Sequence, residues 1–186
     1  MPLLWHGKSD RDVYRLLAHK YLRPARRILA SIDAFHRERM SGSPIIAVHV
    51  RGTDKFLETE DAPTLQAYFD LIEKDAPGWR IFLLSDQTQC VEAFRARYGS
   101  RVIFTGARRS STQAPIHLGR GHDRATLGTD ILIDTYLALR CQKFVGLGKS
   151  NPSCIVSVLK DWGEGDCTLL GPSLLDMNFA RRIGRE

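Results

Sequence analysis

Apolar positions change their spacing repeatedly along this chain, and each change marks a predicted element. Ser9-Asp10-Arg11-Asp12 reads as a helix start, with Ser9 as cap and Asp12 answering it. The helical stretch Val13–Leu22 that follows stops before Pro24. Ala25–Met40 carries Ile28, Leu29, Ile32 and Phe35 at helical spacing, and Gly42-Ser43-Pro44 breaks it. Short apolar runs and helical stretches then alternate. Predicted strands cover 45–50, 80–84, 101–105, 143–147 and 167–170, and predicted helices cover 64–75, 89–98, 125–141 and 152–162. Gly99 after Tyr98 is a good helix stop. Alternation of this kind predicts an α/β domain, a parallel sheet of about five strands with flanking crossover helices. Residues 1–44 are expected to form a helical segment packed on that domain, 45–172 the domain itself, and 173–186 a tail.

Such sheets bind ligands beyond the carboxyl ends of their strands, so polar residues just after strands are expected to converge. Here these are His49, Arg51 and Asp54 after the first strand, Ser85-Asp86 after the second, and Ser150-Asn151 after the fourth. The irregular stretch 106–124, rich in Arg, Ser and Gly, has the length of a functional loop.

At 186 residues and 43% hydrophobic, the chain suffices for one well-packed domain, and 26% charged residues argue against disorder of that core. Cys90, Cys141, Cys154 and Cys167 lack paired CxxC spacing, which predicts free thiols in a reducing compartment and no zinc site. No apolar run is long enough to span a bilayer and no secretion signal opens the chain, so the expectation is a cytoplasmic protein. The net charge of +6 fits a solvated basic surface or a polyanionic partner. Aromatic residues do not interleave with the cations, and neither a recognition helix nor a zinc finger is legible.

His49 and Arg51 are two apart on an extended strand and share a face. Arg51 suits the paired oxygens of a phosphate, or an ion pair with Asp54 or Asp86; His49 suits a ligand or a satisfied packing role. In Ser150-Asn151-Pro152-Ser153, Pro152 fits the first helical position and Asn151 the cap, which aims free amides at whatever lies beyond the strand. Neither GxxxxGK[ST] nor GxGxxG is present. Asp134 sits with Leu127, Ile131 and Ala138 on one apolar helix face, and a buried carboxylate needs a partner. The two parallel N–H donors of guanine would serve, as would a backbone amide or Arg140.

His49-Val-Arg-Gly-Thr-Asp-Lys55 resembles the first signature of the α1,6-fucosyltransferase family, and more distantly the HxR segment of α1,2- and protein O-fucosyltransferases. The Ser85-Asp86 pair and the stretch from Ile133 to Ser153, with its aspartate-bearing helix and Ser-Asn turn, match in order and spacing. The resemblance spans roughly residues 20–160. It implies a Rossmann-like domain equivalent to the donor-binding half of a GT-B glycosyltransferase, which uses GDP-fucose, inverts at the anomeric carbon and needs no metal or other cofactor. It further implies that Arg51 holds the β-phosphate, His49 and Asp134 recognise guanine, and Ser150 and Asn151 contact phosphate. Asp54, Lys55, Ser85, Asp86 and Ser153 belong to the same donor-binding set, and Glu58, ahead of Glu60, would take the acceptor's proton. The chain departs from the core enzymes where a second arginine is replaced by Gly52 and a second acid by Gln87. The residues before the first strand are too few for an acceptor domain, so a glycan acceptor would need a missing domain or a partner chain. The expected function is fucose transfer from GDP-fucose to a glycan. A GDP-sugar-binding module without catalysis and a basic nucleic-acid-binding protein are the alternatives.

Overall fold

The protein is described by a computed structural model covering residues 9–52, 63–112 and 123–175. In chain order the elements are α1 (Asp10–Tyr21), α2 (Arg26–Phe35), β1 (Ile45–Val50), α3 (Leu65–Asp75), β2 (Arg80–Ser85), α4 (Thr88–Tyr98), β3 (Val102–Ile103), α5 (Arg124–Ala138), β4 (Lys143–Leu147), α6 (Asn151–Leu159) and β5 (Cys167–Leu170). The five strands form one parallel sheet in the order β3-β2-β1-β4-β5, with helices on both faces. This is the α/β, Rossmann-like architecture that the alternating pattern predicts.

The chain builds outward from β1 to β2 to β3, then returns through α5 to place β4 on the other side of β1. The direction of winding reverses between β1 and β4, and at such a point the connections leaving the strand ends diverge and open a crevice. All six residues of β1 are buried, as expected of a central strand covered on both faces. Ile46, Val48 and Val50 meet Tyr68, Phe69 and Ile72 of α3 and Val91 and Phe94 of α4. Ile45 and Ala47 join the opposite core with Ile28 and Ile32 of α2, Leu137 and Ala138 of α5 and Val156 of α6. His49 continues that second face at its upper end, where the core gives way to a cavity.

Several boundaries differ from the expectation, each for a local reason. The capping box of α1 is present: Ser9 N–H donates to Asp12 Oδ2 and Asp12 N–H to Ser9 Oγ, both at 3.2 Å. The second helix is not regular to Met40. It widens into a π turn over His36–Met40, and Met40 is buried in the core against which Phe35 packs. The third strand is two residues long, because Gly99–Arg101 form a 3-10 turn and Arg101 Nε donates to the Trp79 carbonyl at 2.9 Å. Helix α6 stops at Leu159, and Trp162 folds back so that Nε1 donates to the Val156 carbonyl at 3.1 Å. All four cysteines are free, and Cys90, Cys141 and Cys154 are buried. No helix among the described residues is long and apolar enough to cross a membrane.

Phe82 lies at the centre of this framework, fully buried between Ala47 and Ile103 in register. Phe82→Ala is expected to cost about 3–5 kcal/mol of unfolding free energy in urea denaturation; a loss under about 1 kcal/mol would show that the sheet is not packed as described.

Candidate functional site

Strand register creates the site. Val50 pairs with Ser85, so Arg51 and Asp86 emerge side by side one residue past the sheet. Asp86 then takes both groups of the β1 exit: Arg51 Nε lies 3.2 Å from Oδ2, and Gly52 N–H donates to Oδ1 at 2.9 Å. The ion pair with Asp86 that the sequence offered Arg51 forms; Asp54, its other candidate partner, lies outside the described residues. A Cβ at Gly52 would sit 2.2 Å from Gln87 Oε1, so a larger residue here would displace the Gln87 side chain. The Gly52 and Gln87 departures are thus spatial neighbours, each accommodating the other.

Beyond β3 the chain does not leave the sheet at once. Gln87 and Ser110 form an isolated parallel bridge: Ser110 N–H donates to the Asp86 carbonyl at 2.8 Å and Thr88 N–H to the Ser110 carbonyl at 3.0 Å. The intervening residues are drawn over the ends of the strands. Arg109 Nη1 donates to the Thr105 and Ala107 carbonyls at 3.1 and 2.7 Å, and Arg108 N–H to Asp130 Oδ2 at 3.2 Å. The result is a cavity of about 110 Å³ roofed by Ala107 and Arg108, floored by His49, Arg51 and Ser85-Asp86, and walled by α5 through Asp130, Ile131 and Asp134. A larger trough of about 530 Å³ adjoins it and shares Arg51, Ile131, Thr135 and Pro152.

Asp134 is buried at 8% exposure and accepts a 2.6 Å hydrogen bond from Thr105 Oγ1. Burial pushes its carboxyl up to about 6, against the Thr105 hydrogen bond and the Arg109 guanidinium, which pull it down, while the Asp130 carboxylate adds to the rise. The alternative partner Arg140 is engaged elsewhere, 2.9 Å from Asp33. Ile131, placed by its spacing on the same apolar face, is 54% exposed and lines the cavity. His49 is buried at 6% exposure, and burial lowers its imidazole to about 4. Asp86 opposes that drop and Arg51 reinforces it, so His49 is neutral at physiological pH. Its Nδ1 lies 2.7 Å from Ser153 Oγ.

The fourth strand's turn needs a correction. Ser150, not Asn151, occupies the cap position of α6; Asn151 is the first helical residue and Pro152 the second. The Ser-Asn-Pro sequence permits either residue to cap, and the Ser150 N–H bond to the Leu147 carbonyl at 3.0 Å selects the earlier start. Ser150 Oγ is buried with no hydrogen-bond partner among the described residues. Asn151 is exposed on the trough wall, whereas Ser153 is fully buried and meets His49. Of the predicted site residues, His49, Arg51, Ser85, Asp86 and Asp134 therefore line one cavity and Asn151 the adjoining trough. Asp54, Lys55, Glu58 and its rival Glu60 lie outside the described residues. Among the described residues, no group of three or more His, Cys, Asp or Glu side chains is placed to hold a metal ion.

Sequence reasoning missed Thr105, Asp130 and the roof residue Arg108. Thr105 had a signal, because it ends the third predicted strand and the strand-end rule applies there too. Asp130 lies four residues before Asp134, one helical turn away on the same face.

Two buried groups give this site a signature in pH. Asp134 titrates above the ordinary carboxyl value of 3.8, so its contribution to stability is present at low pH and lost as pH rises to about 6. His49 titrates below 6.5, so its contribution is present above that value and lost as pH falls to about 4. Between pH 4 and 6 the two oppose each other. Relative to the native sequence, Asp134→Asn is expected to make the urea midpoint rise more steeply with pH across this window, and His49→Gln to make it fall. Slopes changing in the same direction in both variants would contradict the burial of this pair.

Comparison with known proteins gives the architecture a context. No family model matches the chain, and no curated protein matches it. Among solved structures, NodZ alpha-1,6-fucosyltransferase soaked with GDP-fucose is similar over 77% of this chain and 45% of its own, at 23% identity and TM-score 0.53. The same enzyme co-crystallized with GDP matches over 73% and 41%, at 24% identity and TM-score 0.50. POFUT1 in complex with GDP matches over 81% and 48%, at 16% identity and TM-score 0.54. The chain spans less than half of each of these proteins. What it shares with these fucosyltransferases, over that part, is the α/β, Rossmann-like fold.

Proposed function

We propose that this chain is the donor-binding half of a glycosyltransferase that takes fucose from GDP-fucose. The observation that carries the reading is the cavity at the β1–β4 junction, where an arginine, a neutral imidazole and a buried carboxylate face one space. The three neighbouring structures carry GDP or were soaked with GDP-fucose. The cavity between His49 and Asp134 adjoins the trough and shares Arg51, Ile131, Thr135 and Pro152 with it, so in this reading the edge of the purine enters the cavity and the ribose, diphosphate and sugar lie along the trough.

In this reading the Asp134 carboxylate accepts from the ring N–H and exocyclic amino group of guanine. Arg51 donates to oxygens of the β-phosphate, with Asp86 holding its Nε and fixing the direction of the fork. The start of α6 adds backbone amides and the positive end of its dipole, and the buried Ser150 hydroxyl adds a donor. These groups are set in place before the reaction, which is what stabilisation of a departing diphosphate requires. An acceptor hydroxyl attacks the anomeric carbon from the face opposite GDP, forming the new C–O bond with inversion. The bond to the β-phosphate oxygen breaks, and its electron pair leaves with GDP. The hydroxyl proton passes to a carboxylate, the role proposed for Glu58 with Glu60 as rival. No metal is needed in this scheme, because Arg51 and the helix amides carry the phosphate charge. A glycan acceptor site would come from a further domain or partner chain.

A second reading is a module that binds a GDP-sugar without turning it over. Thermal shift with GDP, GDP-fucose, UDP and ADP, followed by a transfer assay, tests both. A guanine-selective rise is expected, amounting to about 2.7 kcal/mol at a hundred times Kd. Arg51→Ala is expected to weaken GDP binding roughly 10- to 100-fold, the loss of a charged hydrogen-bonding partner. Transfer or donor hydrolysis then separates the enzyme from the binding module. No response to any guanine nucleotide, with salt-steep DNA affinity instead, would overturn both in favour of a nucleic-acid-binding protein.

A further inference from the structure

His49 stands directly across from Gly146 in the β1–β4 ladder. Ser153 approaches the same point from α6, on the far side of β4. It is 0% exposed, and its Oγ reaches His49 Nδ1 at 2.7 Å. The contact passes over the one β4 position that has no side chain. A Cβ on Gly146 would lie 2.5 Å from Ser153 Oγ. Three elements are thus shaped around a single hydrogen bond whose imidazole faces the cavity.

The direction of that bond decides what His49 shows a ligand. A neutral imidazole has one donor nitrogen and one acceptor nitrogen, and the bond made by one fixes the role of the other. Among the described residues, His49 is the partner of the Ser153 hydroxyl. If Nδ1 carried the proton, the hydroxyl hydrogen would be buried without an acceptor, which is unfavourable. If the hydroxyl donates to Nδ1, both groups are satisfied.

We propose that Ser153 is a positioning residue that donates to Nδ1 of His49, holding the imidazole proton on Nε2 and presenting the cavity with a hydrogen-bond donor. Resting on the guanine-nucleotide reading above, this makes Ser153 part of base discrimination. An Nε2–H donor and the Asp134 acceptor match the carbonyl oxygen and N–H groups of guanine. Adenine reverses both, offering an amino donor where guanine has its carbonyl and an unprotonated ring nitrogen where guanine has N–H. The pair would therefore reject adenine at two points. Ser153 itself touches no ligand in this scheme, which reassigns it from the donor-contacting set.

Long-range proton–nitrogen NMR correlation on the ligand-free protein reads the tautomer directly, with the His49 signals identified by their loss in His49→Gln. The expected result is a protonated Nε2 and an unprotonated Nδ1; the opposite pattern overturns the proposal. In Ser153→Ala, the ratio of ADP to GDP dissociation constants is expected to fall roughly tenfold, the weight of one hydrogen bond to a buried group. An unchanged ratio in a variant that still binds GDP would also overturn it. If the native protein binds neither nucleotide, the guanine reading fails, and the tautomer measurement still decides the role of Ser153.

Discussion

The pairing of β1 with β4 is the constraint on which the rest depends. It is a parallel pairing between strands distant in sequence, made only after the chain has wound outward through β2 and β3 and returned. Because the return runs through α5, that helix carries Asp130, Ile131 and Asp134 to the upper end of β1. Because β4 lands beside β1, α6 begins where β1 ends. Break the pairing and the imidazole, the guanidinium and the buried carboxylate no longer share a wall.

The cavity combines groups that would not coexist cheaply in an ordinary core. Arg51 and Asp86 neutralise one another at the rim, where some water remains. Deeper in, His49 and Asp134 answer burial in opposite ways. The imidazole gives up its proton readily, and the carboxyl holds its proton to a higher pH. Hydrogen bonds from Thr105 to Asp134 and between Ser153 and His49 fix both groups without adding charge. The base of the site thus pairs a neutral imidazole with a carboxylate at physiological pH. That suits a heterocycle below and phosphates near the donor fork of Arg51 at the rim.

What the sequence revealed, and what it hid, follows from the range of the interactions. The strands were legible because their β-branched runs and bounding Gly and Pro residues act locally. His49, Arg51, Ser85 and Asp86 were legible because a strand end can be located without knowing its neighbours. Asp134 stood out as an acid on an apolar stripe. Its partner did not, because Thr105 meets it only after β3 and α5 have packed. The Ser153 bond to His49 spans most of the domain and depends on Gly146 being bare, a condition that no local pattern encodes. The cap of α6 was misplaced by one residue because Ser and Asn both cap well and Pro152 tolerates either start.

The central claim is that the strand ends at the β1–β4 junction form a guanine-nucleotide site. Backbone amide NMR with increasing GDP tests it most directly. The account predicts shifts concentrated at 49–52, 85–87, 105–110, 127–135 and 148–153, with the opposite end of the sheet near 78–80 and 142–143 unmoved. Shifts centred on that opposite end, or none at millimolar GDP, would contradict it.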